Sequence, residues 1–159
     1  MKPRVYIETT IASFYHETRL EPQIVARKEW TRQWWDEHRQ EYELFTSAAV
    51  IDELETGEYP HQEEALNFVR DIPLLTITDE VVSIGNTYIR HHVMPNDPTG
   101  DALHLAVASF YQCDFLVTWN CQHLANGNKS LHIQKINRTL RLGVPLLVTP
   151  LELLPEENP

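Results

Sequence analysis

The stretch YIETTIASFY, residues 6–15, opens in an apolar run and then puts a carboxylate where that run ends. Val5, Tyr6 and Ile7 read as a short buried β-strand, with Glu8 at its carboxyl end, followed by Thr9 and Thr10. Polar strand ends are common because loops are solvated, so Glu8 alone decides nothing. Its meaning depends on what the rest of the chain builds around that strand end.

Working outward, strand-like and helix-like stretches alternate to the end of the sequence. Strands are expected at Arg4 to Ile7, Tyr42 to Thr46, Leu74 to Ile77, Phe115 to Thr118 and Leu146 to Thr149. All are short and largely apolar, as strands covered on both faces should be. The first crossover carries IVARKEWTRQWWDEHRQ, where Ile24, Trp30, Trp34 and Trp35 approximate one apolar face. Then come SAAVIDELE, with Ser47 as N-cap, and HQEEALNFVRDI. DEVVSIGNTYIRHHV is expected to be capped by Asp79. In NDPTGDALHLAVASFYQC, Asp97 suits the cap and Pro98 the first helical position. A last helix, Lys129 to Leu142, is expected to stop at Gly143. Such alternation predicts a three-layer α/β/α sandwich with a central parallel sheet, in a single domain over residues 1–159. Ligand sites in these folds lie beyond the carboxyl ends of the strands. Glu8 stands at one of them.

Three further positions share that address. Glu53 lies in the helix after the second strand, Asp101 in the first turns of the helix opened by DPTG, and Asn120 follows the fourth strand. Packing carboxylates together raises a pKa or costs stability, and a hard divalent cation is the usual compensation. Each position also has a plainer role: Asp101 favours a helix start, Asn120 suits a turn, and Asp52 or Glu55 could replace Glu53. His104 and His123 read as structurally hydrogen-bonded rather than metal-bound, and Arg90, His91 and His92 as a helix end rather than a ligand contact.

Composition narrows the classes. The formal net charge of −10 argues against a protein that coats nucleic acid by charge alone, though not against one meeting phosphates through metal. Cys113 and Cys121 lie in no CxxC or Cys/His pattern, so a zinc site is not expected. Nothing approaches the roughly 20 apolar residues of a membrane span, and MKPRVYIETT lacks a signal-peptide core. A cytoplasmic protein with reduced thiols is the expectation.

In order and spacing, YIETT, IDELE, PTGDALHLAVA, FLVTWNCQHLAN and the closing VPLLVTPLEL resemble a PIN-domain protein of the VapC-like toxin type. GDALHLAVA and LVTWNCQHLAN are the most specific parts. The resemblance implies a magnesium- or manganese-dependent ribonuclease cleaving single-stranded RNA. It also implies a small inhibitory antitoxin partner and a homodimer, for which the tryptophan-rich crossover and the helix with Phe68 are candidate surfaces. Carried over by position, the catalytic set falls on Glu8, Glu53, Asp101 and Asn120. The metal ligands fall on Glu8, Glu53 and Asp101, with Thr9, Thr10 and Thr118 as supporting polar positions. Two departures concern the chemistry: Glu8 stands where the family normally has aspartate, and Asn120 where many members have a fourth acid. A catalytically silent binding module using the same acidic pocket is the alternative. A receiver-type phosphoacceptor is not: the second strand ends in Thr46-Ser47 and the fifth in Thr149-Pro150, with neither the aspartate nor the lysine required. Neither GxGxxG nor GxxxxGK[ST] occurs.

Overall fold

The computed structural model describes residues 1–94 and 100–156. Four parallel strands, β1 (Arg4–Ile7), β2 (Glu43–Phe45), β3 (Phe115–Val117) and β4 (Leu146–Val148), form one sheet in the order β2-β1-β3-β4. Among the described residues eight helices surround it: α1 (Thr9–Tyr15), α2 (Pro22–His38), α3 (Ala48–Glu55), α4 (Gln62–Arg70), α5 (Asp79–Arg90), α6 (Asp101–Phe110), α7 (Gly127–Thr139) and α8 (Pro150–Leu153). Their packing falls into two sets. One joins α1, α2, α3, α4 and α8, and the other pairs α5 with α6. The second set takes in α7 through a buried knot, where Tyr88 donates to Ser109 and Asn137, and Asn137 donates to Ser109 at 3.0 Å. Together with the sheet these sets make the three-layer α/β/α sandwich.

Order and direction fix where a site can form. The chain leaves β1 toward β2 on one side and leaves β3 toward β4 on the other, so the connections part between β1 and β3. In doubly wound sheets that parting opens a crevice at the carboxyl ends. Tyr6 pairs with Leu116 and Ile7 with Val117, and the ladder runs on as Glu8 N–H donates to the Val117 carbonyl at 3.2 Å. Glu8 and Thr118 therefore emerge side by side.

The core runs through the sheet and both helix layers, with Val5, Tyr6, Ile7, Leu105 and Leu116 fully buried. Trp34 and Trp35 belong to it, and Phe68 packs on Trp35 with ring centroids 4.2 Å apart. Trp34 and Trp35 are buried in the core, while Trp30 and Phe68 are half-buried against it. Among the described residues, no helix is long and apolar enough to cross a membrane.

Several local expectations need correction. Leu74 to Ile77 is not a strand: Leu74 makes a single parallel bridge to Thr46, closed by Thr46 N–H to Pro73 O at 3.0 Å and Leu75 N–H to Thr46 O at 2.8 Å. Pro73 has no N–H to extend the ladder, Tyr111 donates to the Thr76 carbonyl, and the next helix claims Thr78. Thr78, not Asp79, caps α5, its hydroxyl accepting from Val81 N–H. Ser47 does occupy the N-cap of α3, but its hydroxyl makes no capping bond. The expected Asp97 cap and Pro98 lie outside the described residues, and the described part of α6 starts from Gly100.

The helix expected to be last is α7, which stops before Gly143 and is followed by α8. Arg141 takes the left-handed turn at φ 58°, with Leu142 N–H reaching back to Asn137 O at 2.8 Å. α5 and α6 end the same way, on His92 and Gln112, each at φ 57°. Arg90 donates to Thr87 and His91 closes the last turn of α5, so that cluster is a helix end, as expected. A side chain in the left-handed region costs on the order of 1 kcal/mol that glycine avoids. Arg141→Gly is therefore expected to stabilise the protein by roughly 0.5–1 kcal/mol. The reading is a higher urea midpoint at unchanged m-value; a lower midpoint would count against the left-handed cap.

Candidate functional site

Glu8 plays both parts that its position allows. As N-cap of α1 it accepts from Thr10 N–H at 3.0 Å, and the Thr10 and Thr118 hydroxyls donate to the same oxygen, Oε2. The carboxylate is thereby pinned at the β1/β3 crevice by groups from both strand ends, while Oε1 is not engaged by those donors. Thr10 Oγ1 also receives Trp119 N–H at 2.8 Å, and Trp119 Nε1–H donates to Thr31 of α2 at 2.7 Å, so the loop after β3 is tied down.

From α3, Glu53 reaches the same crevice. Ala49, Val50 and Leu54 of that helix are buried, and Glu53 shares their face, whereas Asp52 and Glu55 are exposed. This separates it from its acidic neighbours. Thr9 Oγ1 donates to Glu53 Oε2 at 2.6 Å, and His104 Nε2 lies 2.6 Å from Oε1. Ligand atoms of Glu8, Glu53 and His104 all lie within 4.8 Å of one another. Atoms so spaced share a centre no more than about 2.8 Å away, and modest side-chain adjustment brings that to the 2.0–2.2 Å of a small divalent ion.

Asp101 and Asn120 form a second pair beside this trio. Asn120 Nδ2–H donates to Asp101 Oδ1 at 2.9 Å, while its own Oδ1 accepts His123 N–H at 3.1 Å. A backbone N–H needs an acceptor, so the amide orientation is fixed. Asn120 thus holds Asp101 in place through its NH2, and its oxygen keeps a second lone pair for an outer role. The four sequence candidates divide two and two, and the tight cluster is completed by His104.

Burial dominates the electrostatics of the pocket. Burial pushes the Glu8 carboxyl up, against the opposing pull of His104 and of the Thr10 and Thr118 donors. Burial also raises Asp101, against His104, His123 and the Asn120 hydrogen bond. For His104, burial favours the neutral ring, but the Glu53 hydrogen bond and the charges of Glu53, Glu8 and Asp101 outweigh it and raise the pKa. Carboxylates resisting ionisation around one crevice are what a bound cation relieves. Their oxygens, with an imidazole alongside, fit magnesium or manganese.

Asn120→Asp follows as a local test. A second carboxylate 2.9 Å from Asp101 replaces a hydrogen bond by repulsion. The metal-free variant is expected to lose about 1–3 kcal/mol at neutral pH. Its pair would bind a proton more readily folded than unfolded, so part of the loss returns as pH falls toward 5. An unchanged urea midpoint at pH 7.5 in chelator would contradict the observed pairing.

Tyr6 and Ser47 are the site residues that sequence reading misses. Both are fully buried, and they join only through contacts across the sheet end. No family model matches this sequence, and no curated protein matches it either.

Proposed function

We propose that this chain is a divalent-metal-dependent endoribonuclease of the PIN type, resembling VapC-like toxins and acting on single-stranded RNA. The observation that carries the reading is convergence. Glu8 from β1, Glu53 from α3 and Asp101 from α6 approach one crevice at the parting of the sheet connections, though they lie far apart along the chain.

Bound Mg2+ or Mn2+ would supply positive charge for a phosphodiester and acidity for an attacking water. Glu8, Glu53 and Asp101 would hold the ion directly or through water. Thr10 and Thr118 hold Glu8, Thr9 holds Glu53, and Asn120 holds Asp101, so the acids are oriented before substrate arrives. Asp101, with Oδ1 taken by Asn120, offers Oδ2 to a water hydrogen. The acids also repel phosphate, so RNA binding without metal should be poor. A small antitoxin protein and a second copy of the chain are the partners that the resemblance adds to this proposal. Exposed Leu131, Leu146 and Leu151 supply apolar surface for contact.

The single neutral side chain at Asn120 favours one rival, a PIN-fold module that binds metal or a basic partner without cutting. Cleavage of a labelled single-stranded RNA panel separates the two, run with manganese, with magnesium and with chelator beside Asp101→Ala. Metal-dependent cutting abolished in the variant is the expected result. Wild type that binds manganese in the pocket yet cuts nothing would leave the binding module standing.

A further inference from the structure

Behind the acids, a buried polar chain runs into the same pocket. Tyr6, Ser47 and His104 are wholly inaccessible, and the Tyr6 hydroxyl lies 2.7 Å from both Ser47 Oγ and His104 Nδ1. At the far side of the imidazole, Nε2 meets Glu53 Oε1 at 2.6 Å. Burying a tyrosine, a serine and a histidine together is costly unless all are paired, and a fully paired chain fixes orientation. Here the group it orients is Nε2. With an ion bound, hydrogen on Nδ1 would be donated to the Tyr6 oxygen, Tyr6 would donate its own to Ser47 Oγ, and the Nε2 lone pair would face the ion beside Glu8 and Glu53. Histidines that bind metals have their other ring N–H held in this manner.

We propose that His104 is a nitrogen ligand of the divalent ion in this pocket, completing with Glu8 and Glu53 a site of two carboxylates and one imidazole. Tyr6 and Ser47 are its positioning residues. Asp101 then stands beside the ion, reaching it through water. The inference rests on the metal-pocket reading above and deepens it, because the donor set decides the class of cation. An all-oxygen set suits magnesium, whereas an imidazole shifts preference toward manganese, cobalt or zinc. Without an ion, Nε2 carries a hydrogen to face the Glu53 carboxylate. Loading transfers that proton to solvent as the lone pair turns to the ion.

The test uses the purified chain loaded with Mn2+ and read by pulsed electron paramagnetic resonance, with Mn2+ and Mg2+ affinities from titration. Wild type should show a directly bound nitrogen and prefer Mn2+ over Mg2+ by at least about 100-fold. His104→Gln should lose the nitrogen signal. Because that variant alters a buried site, Tyr6→Phe carries the argument independently: it keeps the ring and removes only the hydroxyl. It should retain the nitrogen signal and bind Mn2+ about 10–100-fold more weakly. Asp101→Asn should retain the nitrogen signal. Absence of bound nitrogen in wild type would overturn the proposal. So would Mn2+ affinity that is unchanged in Tyr6→Phe. RNA cleavage without bound nitrogen would defeat this inference and leave the nuclease; bound nitrogen without cleavage would do the reverse.

Discussion

Glu53→Gln should reduce metal-dependent RNA cleavage at least about a hundredfold while leaving the fold intact. Glutamine preserves the shape: its carbonyl oxygen can accept from His104 while its amide NH2 donates to the Thr9 hydroxyl, the two partners that Glu53 meets on separate oxygens at 2.6 Å. What disappears is one negative charge and one anionic ligand oxygen. Glu53→Ala is a harsher change, because it also strands the buried Nε2–H of His104. An unsatisfied buried donor costs about 1–3 kcal/mol, so this variant should also melt earlier. Comparing the two separates chemistry from scaffold. Should the glutamine variant cut RNA at the wild-type rate, Glu53 would be a structural partner of His104 and the pocket would not be the reaction centre.

The second large effect is on stability, and its sign follows from proton binding. Glu8, Asp101 and His104 all have folded-state pKa values raised above their ordinary ones. Each therefore binds its proton more tightly folded than unfolded, and the stability each contributes is lost as pH rises through its folded value. For the carboxyls the decline begins above the unfolded value near 4, and for His104 above about 6.5. In chelator, stability should fall between pH 5 and 8.5, with a slope of up to about 1.4 kcal/mol per pH unit for each proton by which the states differ. Glu17, held at about 2 mainly by the Arg19 hydrogen bond, does not titrate in that window. His16, lowered by burial, acts in the opposite sense as pH rises through about 6.5. Manganese at saturation replaces the pocket protons, so its stabilisation should grow steeply with pH. Parallel stability curves with and without metal would show that the ion is not bound among these groups.

Much of this architecture was legible in the chain because buried parallel strands write themselves as short apolar runs. Glu8 was recognisable as a strand-end carboxylate, but its capping of α1 was not. TTIASFY is a seven-residue helix of β-branched and aromatic residues, with no propensity signal of its own. It forms on the Glu8 cap and on packing against α2 and α4. Glu53 carried a usable signal, since its spacing from Ala49 and Val50 puts it on the buried face and leaves Asp52 and Glu55 off it. So did His104: it falls three residues after Asp101, in a helix buried from Ala102 to Ser109 apart from Leu103, where a polar ring must find partners. Which partners it finds depends on the register of β1 against β2 and β3, and local pattern does not encode that. The misread strand at Leu74 has a different cause. LLTIT has the right composition, but Pro73 and the Thr78 cap leave it room for one bridge.

The same separation holds for function. Acids at strand ends are visible in sequence, and so is the neutral Asn120 after the fourth expected strand. That His123 N–H turns the Asn120 amide so that it donates to Asp101, and that an imidazole stands in the acidic cluster, are facts of three-dimensional packing. They place the charge on Glu8, Glu53 and Asp101, with His104 to balance it.

The most direct measurement is calorimetric titration of Mn2+ into metal-free protein at pH 7.5, beside Glu8→Gln prepared identically. Glutamine there can still accept from Thr10 and Thr118 and cap α1, but it removes the anion at the crevice. Saturable binding by the wild type, weakened at least about tenfold in the variant, is the expected result. No binding by the wild type, or equal binding by both proteins, would contradict a metal centre at the β1/β3 crevice.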